Sequence, residues 1–173
     1  MTSWPKLGLR PSCHFFAFTK EEPPARKDRF WYVCKMIDAW NNHMTEKCNP
    51  SWASCLDESM SIWFNKFTCT GWVFCPRKPH LYGNGYHAIC SGHLWILYVM
   101  EMIGGIDRPK ERSIDPNDKK ICMKGSLLLR ICQYLFATGK VVILDSGFCV
   151  LLAIIELQKR GVFSSALIKK RKY

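Results

Sequence analysis

Between residues 29 and 47 the chain carries no proline or glycine, and Phe30, Val33, Cys34, Ile37, Trp40 and Met44 recur at steps of three and four. That spacing predicts an amphipathic helix with one packed face. Asn49-Pro50 ends it. Before it, residues 1–28 hold Pro5, Pro11, Pro23 and Pro24 among mixed charges and read as an irregular lead-in. After it the period shortens. Residues 52–56 read as a short strand running into Asp57. Residues 59–85 read as a long connection with Trp63, Phe64, Phe67, Trp72 and Phe74, then Pro76-Arg77-Lys78-Pro79. Residues 86–90 and 94–103 read as the two strands of a hairpin turned at Ser91-Gly92 and closed by Gly104-Gly105. A charged loop follows over residues 106–124.

The last third alternates helix and strand. Leu128, Ile131, Cys132 and Leu135 mark one face of a helix over residues 126–137, with Gly139 as its stop. Val141-Val142-Ile143-Leu144 is a continuous apolar run, as in a parallel strand buried on both faces. Residues 148–160 read as a helix apolar nearly all round up to Leu157, hence well buried, and Gly161 ends it. Residues 162–168 read as the next strand, parallel to the first. This order argues for one α/β domain with a mixed sheet.

Composition supports a packed body: 173 residues, 48% hydrophobic and 13% aromatic. The formal net charge of +11 points to a nucleic-acid partner, against the plainer reading of a basic surface with no particular partner. Ten cysteines form no Cys-x-x-Cys pair, and Cys34, Cys132 and Cys149 stand in apolar runs as small hydrophobes. No apolar leader follows Met1, so a reducing compartment, nucleus or cytoplasm, fits better than secretion. The longest apolar run, residues 94–100, is too short to span a bilayer, which argues against a membrane partner.

The candidate chemistry lies in two aspartates, each expected where a strand runs out. Asp57 follows the first strand, and Asp145 follows Val141-Val142-Ile143-Leu144. In open α/β sheets, ligands collect at the carboxyl ends of strands. Two acids brought together there repel unless a cation lies between them, which is the logic of a two-metal phosphoryl-transfer site. Either aspartate alone reads equally as a turn or helix cap. His87-x-x-Cys90-x-x-His93 is not read as a metal cluster, because strand alternation across a tight turn sends the three to different faces. Arg77 and Lys78 read as DNA phosphate contacts. Lys169-Lys170-Arg171-Lys172 reads as a phosphate-binding strand end or a nuclear-import patch, and equally as a truncated loop.

The segment Leu56-Asp57-Glu58-Ser59-Met60 resembles the first catalytic motif of piggyBac-type transposases. The likeness continues in order. Pro76-Arg77-Lys78-Pro79 resembles the family's basic Pro-x-Lys-Pro segment, and residues 125–134 resemble the helix before the second motif. Val142-Ile143-Leu144-Asp145-Ser146-Gly147-Phe148 resembles that second motif, and residues 156–172 resemble the helix and strand after it. The resemblance spans residues 29–173. It implies an RNase H-like mixed sheet with flanking helices, and DDE/DDD chemistry in which three acids hold two Mg²⁺ ions against a DNA phosphodiester. Asp57 and Asp145 correspond to the first two acids, as catalytic residues and metal ligands. DNA is the implied partner, and a homodimer stays open.

The third acid, the insertion domain and the cysteine-rich DNA-binding domain of the family have no counterpart in these residues. The expectation is therefore a core incomplete at its C-terminus and inactive alone, with more of the core encoded beyond Tyr173. A non-catalytic DNA-binding or protein-interaction remnant, and a fragment that never folds stably, stay open beside it.

Overall fold

The computed structural model describes residues 30–67, 69, 71–103 and 121–168. The lead-in at 1–28, Gly104-Gly105, most of the charged loop after it, and Lys169-Lys170-Arg171-Lys172 lie outside the described residues. Helix α1 (Trp31–Lys47) forms where the three- and four-residue spacing places it. Phe30, Cys34, Ile37 and Met44 make its buried stripe. The Cys48 N–H closes it on the Met44 carbonyl at 3.0 Å.

Six strands follow: β1 (Ala53–Ile62), β2 (Trp72–Phe74), β3 (Tyr82–Ser91), β4 (Leu97–Met102), β5 (Val141–Leu144) and β6 (Phe163–Ala166). Helix α2 (Met123–Ile131) and a 3-10 turn, Gln133–Leu135, precede β5, and helix α3 (Leu151–Lys159) lies between β5 and β6. The strands form one mixed sheet in the order β2-β3-β1-β5-β6, with β4 also paired to β3. β1 is antiparallel to β3 and parallel to β5, and β5 is parallel to β6. Leu56, Ile89, Val142 and Leu144 of the sheet pack against Leu128, Leu129 and Leu135 and against Ala153 and Leu157 in one core. The fold is thus the expected mixed α/β sheet with flanking helices.

Several elements depart from the sequence reading, each for a physical reason. β1 does not end at Leu56. Past the parallel pairing with β5 it continues against β3 as far as Ile62↔Gly83. Asp57 therefore stands inside a ten-residue strand. Its second half, Glu58-Ser59-Met60-Ser61, is too polar to show as an apolar run. The long connection over 59–85 is shorter than expected, because Trp72–Phe74 pairs with Asn84–Tyr82 as β2. Three residues are too few for alternation to register. Trp72 and Phe74 both stack on Tyr82, at 5.4 and 5.2 Å between centroids.

β5 matches its predicted bounds but is not buried on both faces. Val142 and Leu144 are buried, whereas Ile143 is 44% exposed. α3 begins three residues later than read, and its apolar belt is only half used. Ala153 and Leu157 face the core, while Leu151, Leu152 and Ile155 remain exposed. Gly139 is not a helix stop. The helix gives way to the 3-10 turn after Ile131, and Gly139, at φ +67°, makes the bend into β5.

Candidate functional site

The last register pair of β1 and β5 is Leu56↔Leu144. Asp57 and Asp145 each follow it by one residue. Neighbouring strands lie about 5 Å apart, so the two aspartates issue side by side from the middle of the sheet. Leu56 and Leu144 point into the core and are 0% and 2% exposed. Alternation then turns Asp57 and Asp145 to the opposite face, where both are exposed. Buried leucine followed by exposed aspartate on two parallel neighbours builds this pair, with Asp145 at the first position past β5.

Each carboxylate has local partners. Asp57 Oδ1 accepts the Glu58 N–H at 2.7 Å. Asp145 opens a turn closed by the Phe148 N–H on its own carbonyl at 2.9 Å. The Ser146 N–H, then that of Gly147 and the Ser146 hydroxyl, bond its carboxylate and hold it below the usual aspartate range, with Lys78 adding to the effect. The capping role that sequence allowed for Asp145 is therefore present, but it caps this turn rather than a helix. α3 starts at Leu151 with Val150 before it.

Arg77 and Lys78, adjacent in sequence, part company in space. Arg77 is exposed. Lys78 folds back from the segment between β2 and β3 and donates its Nζ to the Glu58 carbonyl. The same Nζ stands 3.9 Å from Asp57 Oδ2, and its charge acts on Asp145. The ammonium thus lies with the acid pair. Sequence reasoning missed this placement. The only trace of it was the lysine held between Pro76 and Pro79.

Glu58 alternates to the other face of β1 from Asp57 and pairs across the ladder with His87. Together with Met60, Val73, Cys75 and Lys78 they line a cavity of about 220 Å³. His87 Nε2 is 4.0 Å from Glu58 Oε1, and its Nδ1 is buried without a partner. Desolvation lowers its pKa, outweighing the opposite pull of Glu58 and Glu101. The ring is therefore neutral near pH 7, and its contact with Glu58 is not an ion pair. His87 also meets Phe148 edge-on at 5.4 Å, which ties the cavity wall to the Asp145 turn. Cys90 sits in β3 and His93 in the following loop, with its N–H on Ser91 Oγ.

A family model described as transposase IS4 matches residues 11–173. The chain belongs to this transposase family. No curated protein matches it. Among solved structures it is similar to a piggyBac transposase in a synaptic complex with hairpin DNA, with a TM-score of 0.65 at 14% identity. That likeness covers 84% of this chain and 29% of the other. It bears out the fold expected from the piggyBac resemblance, and the chain spans under a third of that transposase's length. In this chain Asp57 and Asp145 stand on the two central neighbours of the sheet, β1 and the end of β5. Among the described residues no group of three or more His, Cys, Asp or Glu side chains gathers.

Two adjacent exposed carboxylates suit one Mg²⁺-type cation. Such an ion takes one or two carboxylates and keeps several waters. They do not by themselves make a two-ion clamp, and Glu58 lines the neighbouring cavity.

Proposed function

We propose that this transposase-derived chain retains the DNA-binding surface and half of the metal site of a phosphodiester-cleaving core, and that it does not cleave DNA by itself. The observation that supports the reading is the side-by-side exit of Asp57 and Asp145 past the Leu56↔Leu144 pair. In this reading the two aspartates hold one divalent cation, Mg²⁺ in the cell. The bound ion supplies electrophilic stabilisation of a phosphate oxygen. The chain's own residues do the rest. The Ser146 and Gly147 N–H groups keep the Asp145 carboxylate ionised and aimed. The β1 ladder on both sides of Leu56 fixes Asp57. Positioning both the attacking and the leaving oxygen takes a further acid, and the described residues provide none beside these two.

The test is incubation of the purified chain with duplex terminal-repeat DNA and Mg²⁺ or Mn²⁺, with strand scission read on a denaturing gel. The expected outcome is intact DNA. Scission that vanishes in Asp57→Ala would overturn the inactivity and mean that another chain or Glu58 supplies the missing acid.

A second reading, a DNA-binding remnant with no metal role, draws on the net charge of +11 and on the exposed Arg77. It shares the DNA affinity but expects no Mn²⁺ binding that depends on Asp57. A DNA-binding role in the nucleus accords with both.

A further inference from the structure

We propose that Lys78 is a built-in counter-cation of the acid pair, which a divalent metal ion must displace to bind. The inference rests on the metal reading of Asp57 and Asp145 and goes beyond it by assigning the site its resident competitor.

Three observations carry it. The Lys78 Nζ is anchored by donating to the Glu58 carbonyl, a backbone group of the strand that carries Asp57. From that anchor it stands 3.9 Å from Asp57 Oδ2. Its charge also reaches the Asp145 carboxylate across the β1–β5 pair. The segment that delivers it is held at both ends: the Cys75 N–H bonds the Leu81 carbonyl at 2.8 Å, and the Lys78 N–H bonds the Cys75 carbonyl at 3.1 Å. Pro76 and Pro79 narrow the backbone further on either side.

The lysine is therefore not a free surface charge that happens to pass by. Two carboxylates issuing from neighbouring strands repel each other, and a tethered ammonium relieves that repulsion in the absence of metal. A divalent ion offers the same relief with twice the charge. It has to work against the ammonium already there, so Lys78 weakens metal binding while stabilising the empty site.

The experiment measures Mn²⁺ binding to the full 173-residue chain by calorimetric titration and by paramagnetic resonance of free Mn²⁺, at low ionic strength. It compares the wild type with Lys78→Met, Lys78→Gln, Lys78→Arg and Asp57→Asn. The glutamine amide, one methylene shorter, removes the charge but keeps a hydrogen-bond donor on the side chain. At the dielectric of water two unit charges about 4 Å apart interact by about fivefold in affinity, and a divalent ion feels about twice that energy, so fivefold is a lower bound at that separation. Lys78→Met and Lys78→Gln should therefore bind Mn²⁺ about fivefold tighter than wild type or better, and Lys78→Arg should stay as weak as wild type.

Thermal melts supply the second readout. In chelator, the neutral variants should melt below wild type, and saturating Mn²⁺ should close that gap. Binding that disappears in Asp57→Asn but is no tighter in Lys78→Met and Lys78→Gln overturns the proposal while leaving the metal reading standing. Binding that is unaffected by Asp57→Asn, or absent from every variant, removes the metal reading and this proposal with it.

Discussion

His87 is the side chain whose surroundings make the sharpest demand on pH. Its ring is mostly buried, its Nδ1 has no partner, and desolvation outweighs the favourable charges of Glu58 and Glu101, with Arg130 and Lys124 opposing protonation as well. The folded-state pKa therefore lies below the unfolded value of about 6.5. Between the two values the unfolded chain binds more protons than the folded one, so stability falls as pH drops. The midpoint of urea unfolding should decrease from pH 7 to pH 5, and His87→Leu should flatten that decrease. A slope unchanged by the substitution would assign the pH dependence to other groups. The site residues were unequally legible at this scale. Asp57 and Asp145 stood out because each follows a buried leucine in an apolar run, a local signal. Lys78 looked like one more surface cation, because its reach to Glu58 and Asp57 depends on how β2 and β3 pair, which no local pattern encodes. His87 was weighed only as a metal ligand, since burial across a ladder cannot be read from its neighbours in sequence.

Between elements, one of the bonds that tie the helical layer to the sheet edge is ionic. Arg130 of α2 makes a two-pronged contact with Glu101 of β4, Nε to Oε2 at 2.8 Å and Nη2 to Oε1 at 2.6 Å. Both side chains are nearly buried, at 9% and 12% exposure. Removing one partner strands the other charge, a loss of about 3–5 kcal/mol for a buried pair. Arg130→Met should cost that much in chemical denaturation, and Arg130→Met combined with Glu101→Leu should recover most of it. A single substitution that leaves stability unchanged would mean the pair is solvated. On the same strand, α1 completes the edge: the Asn41 amide donates to the Met100 carbonyl at 2.9 Å, and its oxygen accepts the Met100 N–H at 3.0 Å. Neither contact has a sequence signature, because each joins residues far apart in the chain. The elements themselves were legible where one face is apolar and the run is long, as in α1 and β5. They were blurred where polar residues continue a strand, as after Asp57, or where three residues suffice, as in β2.

The whole molecule brings two features together, a strongly basic chain and a sheet left partly open. Ile143 of β5 and Phe163 of β6 are 44% and 52% exposed, and no helix among the described residues is long and apolar enough to cross a membrane. The charge of +11 includes the exposed Arg77, and the tail cluster Lys169-Lys170-Arg171-Lys172 contributes four of its cations. A surface of this kind attracts a polyanion without reading its sequence. Each DNA phosphate neutralised by a lysine or arginine releases about 0.9 of a counterion, so the logarithm of affinity falls linearly with the logarithm of salt. Fluorescence anisotropy with a short labelled duplex should show affinity falling by about three to five powers of ten between about 50 and 200 mM salt, if six to ten contacts form. Replacing Arg77 by Ala should lower the slope by about one contact and weaken binding equally for every sequence tested. Removing the four tail cations should lower it by up to about four contacts. Affinity indifferent to salt would assign the basic surface to a protein partner instead. A preference for one DNA sequence that survives high salt would mean base edges are read by residues other than these.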